Sequence, residues 1–168
     1  MQESQKMIIK GLLDEDFINY KKPSMFIIAP SCDFKCDKEC GKAICQNSSI
    51  IKEKNINVSN KYIIDRYIIN PISEAIIIGG LEPFDTWEEL YQFIIDFRKV
   101  SNDDIVIYTG YNENEILDKV ALLKKYTSII IKYGRYIPDK KKVYSEILGV
   151  ELASDNQYAV RIDNENKD

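Results

Sequence analysis

Four cysteines, Cys32, Cys36, Cys40 and Cys45, lie within fourteen residues of a 168-residue chain that has no other cysteine and no histidine. Thiolates are soft ligands that select zinc, Cu(I) and iron–sulfur clusters. Structural zinc usually takes C-x2-C knuckles parted by a longer stretch. The run here, PSCDFKCDKECGKAICQN, reads C-x3-C-x3-C-x4-C and has no such pair. Two-cluster ferredoxins require more cysteines at other spacings. Two disulfides would close very small loops, where a cross-link stabilises least. Three thiolates on one loop can hold three irons of a [4Fe–4S] cluster and leave the fourth open to a small chelating ligand. The bland alternative is a zinc ion or a fully ligated cluster that only staples the loop.

The elements that must position this loop follow from length and pattern. Residues 1–168 are expected to form a single domain, with a polar, frayed tail after about 163. Hydrophobic residues make up 45% and charged residues 30%, ordinary globular values. The net charge of −4 gives no basic face for nucleic acid. No apolar run approaches the roughly 18 residues of a membrane span. The opening MQESQKMIIKGLLDED lacks the order of a secretory signal, so a reducing cytoplasmic setting is expected.

Apolar β-branched runs alternate with helical periodicity. Strands are expected at 7–13 (a sheet edge), 24–30, 75–78, 104–109, 128–132 and 158–162. Residues 60–70 place Ile63, Ile64, Tyr67 and Ile68 on one helical face. Thr86 and Glu89 read as a capping box for a helix from Trp87 to about Val100, with Leu90, Phe93, Ile94 and Phe97 inward. Asn112 is placed to cap a helix over 113–125. The charge run Asp139–Lys142 reads as a solvated loop. This rhythm predicts an α/β domain with a mostly parallel sheet. The chain is too short for an eight-unit barrel of ~250 residues. The expected architecture is an open partial (β/α) barrel of mostly parallel strands with helices outside.

Further segments fall directly after strands, the end of a (β/α) fold where sites are assembled. Gly79-Gly80-Leu81-Glu82-Pro83 follows one strand, and its glycines permit close backbone approach to a ligand. Tyr108-Thr109-Gly110-Tyr111 ends the next; by itself it reads as a glycine turn with core aromatics. Ile131-Lys132-Tyr133-Gly134-Arg135-Tyr136 and Ala153-Ser154-Asp155-Asn156-Gln157 follow in order.

This ordered set resembles the radical S-adenosylmethionine (SAM) enzymes. Within them it resembles the small activating proteins of anaerobic ribonucleoside-triphosphate reductase. Cys32-x3-Cys36 matches the first half of their C-x3-C-x2-C signature, and Cys45-Gln46-Asn47 matches their closing Cys-x-Asn. On that alignment the metal ligands are Cys32, Cys36 and Cys45, with Cys40 in a short insertion; alternatively Cys40 is the third ligand. The resemblance implies a [4Fe–4S] cluster and SAM as cofactors. It also implies cofactor-binding positions at Ile44, Gly79, Gly80, Glu82, Pro83 and Thr109. Glu82 corresponds to an acidic contact to the SAM ammonium, a pairing that opposite charge favours. Two departures stand out: Tyr133 replaces an Asp and Ala153 a Gly.

The activity so implied is reductive cleavage of SAM to a 5′-deoxyadenosyl radical, which generates a glycyl radical on anaerobic ribonucleotide reductase. A flavodoxin or ferredoxin would supply the electron. No catalytic side chain is required beyond cluster and SAM. Tyr111, Tyr133 and Tyr136 are either core residues or a docking surface for the reductase. The competing expectations are a radical SAM enzyme acting on a small molecule or another peptide, and a non-catalytic metal-stapled binding module.

Overall fold

The computed structural model describes residues 5–31 and 48–168. Its centre is four strands: β3 (Ser24–Ile28), β5 (Ala75–Gly79), β6 (Asp104–Tyr108) and β7 (Ile129–Tyr133). They pair parallel in the order β3-β5-β6-β7. Their near-continuous runs of isoleucine and valine reflect burial on both faces, the signature of a covered parallel sheet. Because side chains alternate along a strand, each strand feeds two cores.

One core holds Ile76, Ile78, Ile105, Ile107, Ile129 and Ile131. It is covered by α1 (Asn60–Ile69), α2 (Trp87–Arg98) and α3 (Leu117–Leu123). The expected inner face of α2 is buried in full through Leu90, Phe93, Ile94 and Phe97. On α1, Ile63, Ile64 and Tyr67 are buried, but Ile68 is 54% exposed: the apolar stripe ends one residue earlier than expected.

The opposite core holds Ala75, Ile77, Val106 and Ile130. No helix covers it among the described residues. Its lid is Tyr20, from the link between β2 (Gly11–Asp16) and β3, together with the short hairpin of β8 (Val143–Ser145) and β9 (Val150–Leu152), which brings in Leu148 and Leu152.

The parallel centre is flanked by antiparallel pairs. Strand β2 lines β3, and β10 (Tyr158–Arg161) lines β7 with β11 (Asn166–Lys167) beyond it. The seven-stranded order is β11-β10-β7-β6-β5-β3-β2, so the sheet is mixed and open, with no closed barrel among the described residues. The expected edge strand at 7–13 is two strands in two sheets. β1 (Lys6–Ile9) pairs with β4 (Ile56–Ser59), and the chain then bends at Lys10 into β2.

Three other expectations change. The Thr86–Glu89 capping box does not form. Glu82 instead caps its own 3-10 turn, Pro83–Thr86, and the Glu89 carboxylate accepts the Ile8 N–H (3.1 Å). The helix expected over 113–125 splits into a 3-10 turn, Glu113–Glu115, and α3, with Glu115 accepting the Asn112 N–H (3.1 Å). The tail after 163 is ordered: Asp168 accepts hydrogen bonds from the Ala159 N–H (2.9 Å), the Ile147 N–H (3.1 Å) and the Ser145 hydroxyl (2.5 Å). The run Asp139–Lys142 is exposed, as expected.

At the N-terminal end of β6 the buried Asp104 ties three elements together. It accepts Tyr20 Oη (2.7 Å), Lys22 Nζ (3.0 Å) and Arg161 Nη1 (3.0 Å). Burial pushes its carboxyl up, but the hydrogen bonds from Arg161, Tyr20 and Lys22 outweigh that and hold it at about 2. A group whose pKa falls on folding contributes stability above its unfolded value and loses it as pH drops. Asp104→Ala should therefore cost about 3 kcal/mol in chemical denaturation at neutral pH. The variant should also lose part of the wild-type destabilisation between pH 4 and about 2.

Tyr133 gives a prediction of opposite sign. Its ring is fully buried against Tyr158, and its hydroxyl has no hydrogen-bond partner among the described residues. An unsatisfied buried hydroxyl costs about 1–3 kcal/mol. Tyr133→Phe should raise the melting temperature by about 2–4 °C per kcal/mol recovered, measured by calorimetry.

Candidate functional site at the strand ends

The C-terminal ends of β3, β5, β6 and β7 lie side by side because the strands are parallel and in register. The loops leaving them make one surface. Gly79 ends β5; a Cβ there would sit 3.0 Å from Tyr108 Cβ, so a side chain would have to displace Tyr108. Gly80 has φ +81°, and a Cβ would meet Ile28 Cγ2 at 2.8 Å. The second position requires glycine. The Gly79 carbonyl accepts the Ala29 N–H (2.8 Å), which continues the β3–β5 pairing past the strands.

This tight exit delivers Glu82 into the interior, where it is 5% exposed. Its backbone N–H donates to the Ser31 carbonyl (2.8 Å), the residue just before the cysteine run. Pro83 starts the 3-10 turn at a position where the missing N–H costs nothing. The Glu82 carboxylate accepts the Phe84 N–H (3.0 Å), the Gly110 N–H (2.8 Å) and the Thr109 hydroxyl, which lies 2.8 and 2.9 Å from its two oxygens. Burial pushes the carboxyl up. The Phe84, Gly110 and Thr109 donors pull it back, and Asp85 adds to the rise, leaving it at about 7. No cation among the described residues contributes to that value.

Gly79, Gly80, Glu82, Pro83 and Thr109 are thus brought together. The sequence-based site residues Cys32, Cys36, Cys40, Cys45 and Ile44 lie outside the described residues. Of the three aromatics, Tyr133 is core, and Tyr111 donates its hydroxyl to Asp85 (2.6 Å). Tyr111 also brackets the loops: its N–H donates to Thr109 Oγ1 (3.0 Å) and its carbonyl accepts the Gly134 N–H (3.0 Å).

Several participants belong to the two later segments singled out in the sequence, but nothing local names their partners. Arg135 is buried and makes a bidentate pair with Glu115 (2.6 and 2.7 Å), twenty residues away. Asn156 Nδ2 donates to the Arg135 carbonyl (2.7 Å), and Gln157 Nε2 to the Gly134 carbonyl (3.2 Å). Gly134, at φ +101°, would carry a Cβ only 3.1 Å from the Asn156 carbonyl oxygen. The late Ser154–Gln157 segment therefore clamps the loop after β7, which is itself tied to the loop after β6 through Glu115 and Tyr111.

Among the described residues no group of three or more Cys, Asp or Glu is placed to hold a metal. All four thiols of the chain fall in the stretch that leaves β3 beside Glu82, and four thiols are a fitting donor set for an iron–sulfur cluster. Neither a curated protein nor a solved structure matches the chain. A family model described as a 4Fe-4S single cluster domain matches residues 24–157, from the first strand of the parallel centre to the clamp that closes the site. By that match over most of its length, the chain belongs to the 4Fe-4S single cluster domain family.

Proposed function

We propose that this iron–sulfur protein is a radical SAM activase that generates a glycyl radical on anaerobic ribonucleotide reductase. The four parallel strands are read as part of an open (β/α) barrel. Cys32, Cys36 and Cys45, with Cys40 as the alternative third ligand, would hold the cluster. When bound, cluster and SAM together supply a one-electron cleavage of the sulfonium and hence a 5′-deoxyadenosyl radical. The observation that carries the reading is Glu82. It is a buried carboxylate served by neutral donors, without a cation among the described residues, one hydrogen bond from the residue that opens the cysteine run.

A carboxylate offers about four lone-pair sites. Phe84, Gly110 and Thr109 take three, which leaves Glu82 able to accept one more donor. A ligand ammonium there would complete the set and favour the ionised form. Glycines at 79 and 80 keep their side of the approach free of side chains.

Two measurements test this. Anaerobically reconstituted protein, given reductant, SAM and its candidate reductase, should produce a glycyl radical by electron paramagnetic resonance. SAM cleavage with no radical on the reductase would redirect the activity to a small molecule or another peptide, and absence of SAM binding would leave a non-catalytic iron–sulfur module. Cys40→Ala and Cys45→Ala, made separately, identify the third ligand: its loss should abolish iron retention and SAM cleavage, and loss of the bystander should spare both.

The pH dependence of the ligand-free fold follows from Glu82. A carboxyl raised from 4.5 to about 7 on folding contributes stability below 4.5 that is lost as pH rises through about 7. The difference corresponds to roughly 3 kcal/mol. Glu82→Gln should flatten this decline in denaturation curves between pH 4.5 and 7. Saturating SAM should also suppress it in the wild type, because the bound ammonium stabilises the carboxylate.

A further inference from the structure

We infer that Thr109 is a positioning residue for Glu82. It aims the carboxylate at a ligand ammonium and does not itself touch the ligand. The inference rests on the cation-accepting role proposed above. Thr109 is 2% exposed. Its hydroxyl has one proton and two lone pairs. The Tyr111 N–H occupies a lone pair (3.0 Å), and both Glu82 oxygens lie within 2.9 Å. An ionised carboxylate has no proton to give, so the Thr109 proton must lie on Glu82. The hydroxyl is thus committed on both sides: Tyr111 fixes its orientation, and Glu82 takes its only donor.

The other two donors to Glu82, the Phe84 and Gly110 N–H groups, belong to the backbone and are set by the loops. Thr109 is the one side chain among the described residues that donates to this carboxylate. It bridges both oxygens, so it fixes the rotation of the carboxylate plane and hence the direction of the remaining lone pair. A hydroxyl spent in this way has no proton left to offer a ligand. Its contribution is the angle at which Glu82 meets one.

The test uses anaerobically reconstituted full-length protein and two probes: SAM, and a SAM analogue lacking the α-amino group. Binding is measured by equilibrium dialysis, with iron content as the folding control. Wild type should prefer SAM. Thr109→Val should weaken SAM by ~10-fold or more, because the ammonium then meets a carboxylate no longer held at the angle of a charge-assisted hydrogen bond, and leave the analogue unchanged. Thr109→Ser should restore wild-type binding. In a Glu82→Gln background, Thr109→Val should cost nothing further, because residues that act as a unit are not additive. If Thr109→Val fails to retain iron, Thr109→Ala serves in its place. A hydroxyl deletion that weakens both probes alike, or that keeps its full effect beside Glu82→Gln, overturns the inference with the cation-accepting reading intact. A wild type that binds both probes equally defeats that reading, and the role of Thr109 with it.

Discussion

A carboxylate inside the end of a parallel sheet sets the terms for everything around it. Glu82 can be buried only because three donors converge on it, and each comes from a different constraint. Phe84 is presented by a 3-10 turn that begins at Pro83. Gly110 is presented by the exit of β6. Thr109 is oriented by Tyr111. A buried polar network of this kind is costly when half satisfied, so the loops after β5 and β6 are not free to vary independently. The backbone of Glu82 extends the constraint to the end of β3 through Ser31, and thus to the start of the cysteine run.

The same sheet carries a second buried carboxylate at its other end, and the contrast is informative. Asp104 is met by Lys22 and Arg161 as well as Tyr20, and is held at about 2. Glu82 is met by neutral donors and lies at about 7. The two carboxylates are thus driven in opposite directions: burial outweighs the neutral donors at Glu82, whereas Arg161, Tyr20 and Lys22 outweigh burial at Asp104. The first is complete within the protein and ties the Tyr20 segment and β10 to the centre of the sheet. The second keeps one acceptor site open and meets no cation among these donors. A carboxylate poised in this way accepts a cation with little rearrangement, since no internal ion pair has to be broken first.

The parallel centre was legible in the sequence because burial on both faces writes continuous apolar runs, and MFII, IIIG, IVIY and IIIK leave little choice. The hairpin β8–β9 was not legible: each strand has three residues and a single buried position, too little for a period. The capping box at Thr86 failed for a non-local reason. Its pattern is sound, but the Glu89 carboxylate is taken by a backbone N–H eighty-one residues away. The site divides along the same line. Gly79, Gly80, Glu82 and Thr109 were singled out by the family resemblance, at the ends of strands whose order was readable. The Arg135–Glu115 pair and the Asn156 contact were not, since nothing within either segment names its partner.

That division has a structural consequence. The legible residues touch or approach the site, whereas the illegible ones hold the wall behind it. Arg135 packs its Cγ 3.8 Å from where a Cβ of Gly110 would be, and Gly110 in turn donates to Glu82. Asn156 and Gln157 fix the two carbonyls on either side of the Gly134–Arg135 peptide. Displacing the clamp would therefore reach Glu82 through Arg135 and Gly110 with no direct contact. A side chain at 134 would do so from the start, because φ +101° and the 3.1 Å approach to Asn156 admit only glycine. The rigidity of the strand-end surface comes from the antiparallel flank: β10 returns the chain beside β7 immediately after the clamp, so the segment that braces the site is itself anchored in the sheet.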